Sequence, residues 1–123
     1  MNRQILFEYA KNKYGTEPEF LWRRYPSYAV LRHSDNKKWY GVVMDVERNK
    51  LGLEGGGKVD ILDIKCEGLM TDILRTRDGF LTGYHMNKKY WISVLLDGTV
   101  SESEVFSLLD MSFELTSVKK KKT

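Results

Sequence analysis

One cysteine, two prolines and two histidines in 123 residues set the first limits. A lone thiol, Cys66, cannot close an internal disulfide and fits a reducing compartment. So few prolines exclude a collagen-like or proline-rich chain. His33 and His85 stand without any C-x-x-C or H-E-x-x-H spacing, so the sequence offers no metal centre and implies no cofactor. Apolar runs are a handful of residues long, against the roughly 20 that a membrane-spanning helix needs. No basic-then-apolar leader follows Met1. These absences predict a soluble cytoplasmic protein with no membrane partner. What is present, 41% hydrophobic and 30% charged residues, suits one globular domain.

The formal charge of +3 is local in origin. Lys119 to Lys122 supply four of the 20 positive charges, and without them 16 stand against 17 acids, a net of −1. The sequence therefore divides into a near-neutral domain over residues 1–118 and a lysine-rich disordered tail over 119–123. Residues 23–50 carry seven cations against three acids, whereas residues 97–114 hold five acids and no Lys or Arg.

Periodicity supplies the elements. Ile5, Leu6, Tyr9 and Ala10 predict a helix over Asn2–Tyr14, stopped by Gly15. Thr16, Pro18 and Glu19 form a capping-box pattern that predicts a second short helix through Trp22. Strands are expected at Tyr28–His33 and Lys38–Val46, joined by Ser34–Lys37, with Tyr40, Val42, Met44 and Val46 on one face and Trp39 on the other. A third strand covers Val59–Cys66. Leu69, Met70, Ile73 and Leu74 predict an apolar helix stripe. Phe80–Tyr84 and Tyr90–Leu96 are further strands, the latter with Tyr90, Ile92, Val94 and Leu96 toward the core. A last helix is capped by Ser101, with Glu104 expected to reach back to its amide. Consecutive strands on short links predict an α+β domain, an antiparallel sheet with helices on one face.

Most chemical motifs fail on inspection. Gly52 to Lys58 satisfies G-x-x-x-x-G-K, but Val59 replaces the Ser or Thr that ligates magnesium, and strand rather than helix follows. Asp60 and Asp63, three apart on one strand, point to opposite faces and cannot work as a carboxylate pair. No G-x-S-x-G elbow supports a Ser–His–Asp triad. The expectation is a protein that is not an enzyme.

The distinctive residues lie later. Tyr84-His85-Met86-Asn87-Lys88 is followed by Trp91, then Leu96-Asp97-Gly98, then Asp110-Met111-Ser112-Phe113-Glu114-Leu115. With Tyr25-Pro26, Lys38-Trp39-Tyr40 and Val59 to Lys65, these blocks resemble the YjbR/MmcQ family of small bacterial proteins up to about Val118. Ser101 departs from the proline usual there, though both suit a helix start. The resemblance implies a compact fold similar to type III secretion chaperones. That fold has been compared with a phage "double wing" of strands that grips DNA. It implies DNA binding without catalysis, and attaches no established role to His85, Asn87, Lys88 or Trp91.

Two readings follow. In the first, Arg32, Lys37, Lys38, Arg48, Lys50, Lys58, Lys88 and Lys89 contact the phosphates of double-stranded DNA from hairpin tips and sheet face. In the second, the Trp39/Trp91 sheet face docks a protein partner or a second copy in a homodimer, as a chaperone-like module. A structural reading stands beside both: the two indoles are covered, or pack on each other.

Overall fold

A computed structural model of the chain describes residues 1–118; the expected lysine tail lies outside the described residues. Helix α1 (Arg3–Tyr14) begins where the Asn2 side chain accepts the backbone N–H of Ile5, and stops at Gly15 with φ 69°. Strands β1 (Ala29–Arg32), β2 (Trp39–Glu47), β3 (Lys58–Lys65), β4 (Phe80–Thr82) and β5 (Trp91–Leu95) form one sheet in the order β1-β2-β3-β5-β4. Every neighbouring pair is antiparallel. Helix α2 (Gly68–Leu74) precedes β4, and α3 (Glu102–Thr116) closes the domain.

All three helices pack on one sheet face. Leu6, Ala10, Leu74, Val105 and Leu109 bury against Leu31, Val43, Leu62, Ile64, Ile92 and Val94. Asp60 points to this side and holds Arg3 of α1 through two hydrogen bonds of 2.9 and 2.8 Å. The α+β architecture expected from the sequence is therefore the architecture of the molecule.

Five local expectations are corrected. No helix forms over Thr16–Trp22: Glu19 exchanges both backbone hydrogen bonds with Val30, at 3.0 and 2.8 Å, beside β1. The Glu19 carboxylate grips Arg32, and Thr16 accepts a hydrogen bond from the Tyr40 hydroxyl instead of capping. Unpaired groups on a sheet edge offer this segment more than a two-turn helix with a costly nucleus. In α2 only Thr71 and Leu74 are buried, so Leu69, Met70 and Ile73 remain exposed. Tyr90 is also exposed, and Glu104 spends its carboxylate on Arg77 while Ser101 alone caps α3.

The fifth correction concerns β2. Its register with β1 runs Ala29↔Val43, Val30↔Val42, Leu31↔Gly41, then skips to Arg32↔Trp39. Tyr40 is the extra residue, a β-bulge that breaks the period of two. It places Tyr40 with Val43 on the helix side, and Trp39 with Val42, Met44 and Val46 on the other. Ser112 of α3 serves the bulge, its hydroxyl donating to the Tyr40 carbonyl at 2.6 Å and accepting the Lys65 N–H at 2.8 Å.

Among the described residues, the second sheet face carries no α-helix. Tyr28, Val42, Met44, Val46, Val59, Ile61 and Leu95 form a thinner apolar layer, against which Trp22, Trp39, Leu51, Leu53 and Tyr84 pack from irregular segments or strand end. No helix among the described residues is long and apolar enough to cross a membrane.

Candidate nucleic-acid interface

The loop after β4 is built around a buried polar pair. Asp63 and Ser93 face each other across β3 and β5, both fully buried on the side away from the helices. The Ser93 hydroxyl donates to Asp63 Oδ1 and accepts the backbone N–H of Tyr84 at 2.9 Å. Asp63 Oδ2 has no hydrogen-bond partner among the described residues. Burial pushes this carboxyl up to about 7, against the Ser93 hydrogen bond and the attraction of Lys88.

That pair fixes where residues 83–90 lie. Gly83 passes so close to β5 that an added Cβ would stand 2.8 Å from the Trp91 carbonyl oxygen. The Lys88 ammonium donates back to the Gly83 carbonyl at 3.0 Å. Asn87 makes the exit turn, its side chain accepting the Lys89 N–H and its carbonyl accepting those of Tyr90 and Trp91. His85 adopts φ 59°, a left-handed conformation that a residue with a side chain seldom takes. The Tyr84–Lys88 block is thus a strap laid over the sheet.

Two adjoining depressions flank the strap and share Lys50 and Tyr84. One, of about 490 Å³, is lined by Lys50, Arg75 and Lys88 with Phe80, Leu81 and Thr82, and by no carboxylate among the described residues. The other, of about 330 Å³, is lined by Arg24, Lys58 and His85 with Tyr25 and Tyr28, but also by Asp45 and Glu47. Asp45 is paired within this depression: it accepts the Ser27 hydroxyl and lies 3.5 Å from the Lys58 ammonium. Burial raises this carboxyl, but those two partners and its backbone contacts outweigh burial and leave it below its ordinary value.

The eight candidate cations do not gather at one place. Lys37 and Lys38 precede β2 and Lys89 precedes β5, at the sheet end where Trp39 and Trp91 begin their strands. Arg48, Lys50 and Lys58 lie at the far end of β2, roughly 26 Å away at about 3.3 Å per residue. Arg32 is held by Glu19, and the pairing raises the guanidinium's affinity for its proton and lowers that of the Glu19 carboxylate. Only Lys50, Lys58 and Lys88 line the paired depressions. Arg24, Tyr25, Arg75 and Tyr84 join them there without having been singled out as contacts. Tyr84 stands in the distinctive block and Arg24 in the basic stretch, but nothing in the sequence marks Arg75.

The indoles do not make an open aromatic surface. Trp91 is 8% exposed, and Trp39 is half-buried with its ring edge-on to Trp22 at 5.7 Å. Both line a shallow groove with Lys38 and Lys65 near the end of α3.

A sheet covered by helices on one side, and by a strapped basic and aromatic layer on the other, defines a small α+β domain. The chain belongs to the YjbR family, whose model, described as YjbR, matches residues 11–115. It is 48% identical over 116 residues to the Bacillus subtilis (strain 168) protein YyaQ, an alignment covering 94% of this chain and 98% of YyaQ. Among solved structures, a crystal structure of a Pseudomonas syringae protein is 45% identical with a TM-score of 0.93, over 95% of this chain and all of that one. A Deinococcus radiodurans protein with a DUF419 domain shares the fold at 21% identity and a TM-score of 0.73, over 98% of this chain and 82% of that one.

Proposed function

We propose that this chain is a non-enzymatic DNA-binding module that engages its ligand on the helix-free sheet face. The observation that carries the reading is the Lys50–Arg75–Lys88 depression at the β4 edge of that face, bordered by Tyr84, where no carboxylate of the described residues lines the seat and Arg75 alone is already paired, with Asp72. Such a seat neutralises phosphates, while the net −1 of the domain limits binding to that face. The acids of α3 belong to the opposite side, where Asp110 is occupied by Tyr9, Tyr14 and Lys13. The buried Asp63–Ser93 pair supports a binding role over turnover, because both groups are sealed from solvent and hold the strap in place.

The test is titration of labelled DNA across salt concentrations. Affinity should fall steeply with salt for the native chain. Replacing Lys50 and Lys88 together by Gln should weaken binding about tenfold or more near 0.1 M salt and flatten the log–log slope by about two. Lys37→Gln, at the other sheet end, should change little. Binding that ignores both the salt and the double substitution would refute the reading.

A further inference from the structure

The two depressions differ in what they can accept, and they share a wall. The Lys50–Arg75–Lys88 seat takes an anion, whereas Asp45 and Glu47 make the neighbouring slot a poor place for a second phosphate. That slot is aromatic instead. Tyr25 stacks on Tyr28 with ring centroids 4.6 Å apart and an interplanar angle of 15°, yet remains 49% exposed, so its outer π-face is free. His85, held at φ 59°, faces the same slot beside Tyr84, with their rings 4.1 Å apart. Strained backbone of this kind persists where the surroundings enforce it, as the strap does here. A slot of about 330 Å³ sits at the small end of ligand pockets, the size of one nucleoside rather than of a duplex edge.

We propose that the paired depressions seat one unpaired nucleotide of single-stranded DNA, its phosphate at Lys50, Arg75 and Lys88 and its base stacked on Tyr25. The proposal rests on the DNA-binding reading above and adds strand selectivity to it. In a duplex both faces of each base are already stacked, so Tyr25 gains nothing there. In a single strand, stacking on one aromatic ring is worth about tenfold to a hundredfold in affinity.

Fluorescence anisotropy with a short labelled oligothymidine and the matching duplex tests this. The single strand should bind more tightly than the duplex. Tyr25→Ala should remove that advantage by costing the single strand about tenfold more than the duplex, and Tyr25→Trp should keep it. Because Tyr25 is half-exposed, circular dichroism of Tyr25→Ala should match the native chain, so lost affinity is not lost folding. Equal affinity for both forms, or a Tyr25→Ala loss shared in full by the duplex, overturns strand selectivity and leaves the DNA-binding reading intact. Thymidine monophosphate that competes as well as the strand reassigns the site to a free nucleotide and overturns the proposal. No binding of either form of DNA sinks both readings.

Discussion

Ser112 illustrates how one side chain answers for a backbone irregularity. The bulge at Tyr40 takes a carbonyl of β2 and the Lys65 N–H of neighbouring β3 out of the ladder, and a fully buried hydroxyl from α3 satisfies both. Ser112→Ala leaves a buried donor and a buried acceptor unpaired and should cost about 2–3 kcal/mol, read as a lower urea midpoint with an unchanged m-value. An unchanged midpoint would mean that water or a shift of α3 replaces the hydroxyl. The serine stands inside the Asp110–Leu115 block that the sequence already showed to be distinctive. Its partner, however, lies 72 positions away, beyond the reach of any local pattern.

Among the elements, the long periodic ones were legible and the edges were not. α1, α3 and the strands carry their own start and stop signals, so they stand within a residue or two of their expected limits. The 16–22 segment has equally good helix signals, but β1 offers it hydrogen bonds that no local rule counts. Helix α2 misleads differently: two turns bury one row, here Thr71 and Leu74, and the more apolar row faces out. The candidate site was half legible. Lys50, Lys58 and Lys88 emerge from charge alone, whereas Arg75 and Tyr25 join them only because the strap and the 15–28 segment fold across the sheet. The strap itself is testable through Gly83→Ala, which forces a methyl group against the Trp91 backbone and should destabilise the fold by about 1–3 kcal/mol in thermal or urea denaturation. The same substitution should weaken DNA binding beyond its effect on folding, since Lys88 hangs from the Gly83 carbonyl.

At the level of the whole molecule, the two sheet faces have separate chemistry, and pH reaches both. Asp63 titrates near 7 in the fold and near 3.8 when unfolded, so the native state binds the extra proton between those values. Stability from this residue is therefore intact below about pH 4 and declines as pH rises toward 7. On the helix side burial lowers the affinity of His33 for its proton, and its Nε2 lies 2.8 Å from the Thr116 hydroxyl, so acid works against the fold there. Comparing the native chain with Asp63→Asn across pH 4 to 8 cancels the histidine and isolates the aspartate. The variant should gain relative stability steadily from pH 4 to 7 and hold that gain above it. Parallel profiles would show that Asp63 stays ionised, with Lys88 or water as its counterpart.

The bulge also constrains how relatives of this chain can diverge. Deleting Tyr40 would restore strict alternation but remove the ring on which Tyr14, His33 and Phe113 pack, whereas deleting Trp39 instead would turn Tyr40 away from the helices. Evolution at this corner is therefore free to change letters but not to change the count. Alignments of diverged relatives should stay gapless here while neighbouring hairpins vary in length.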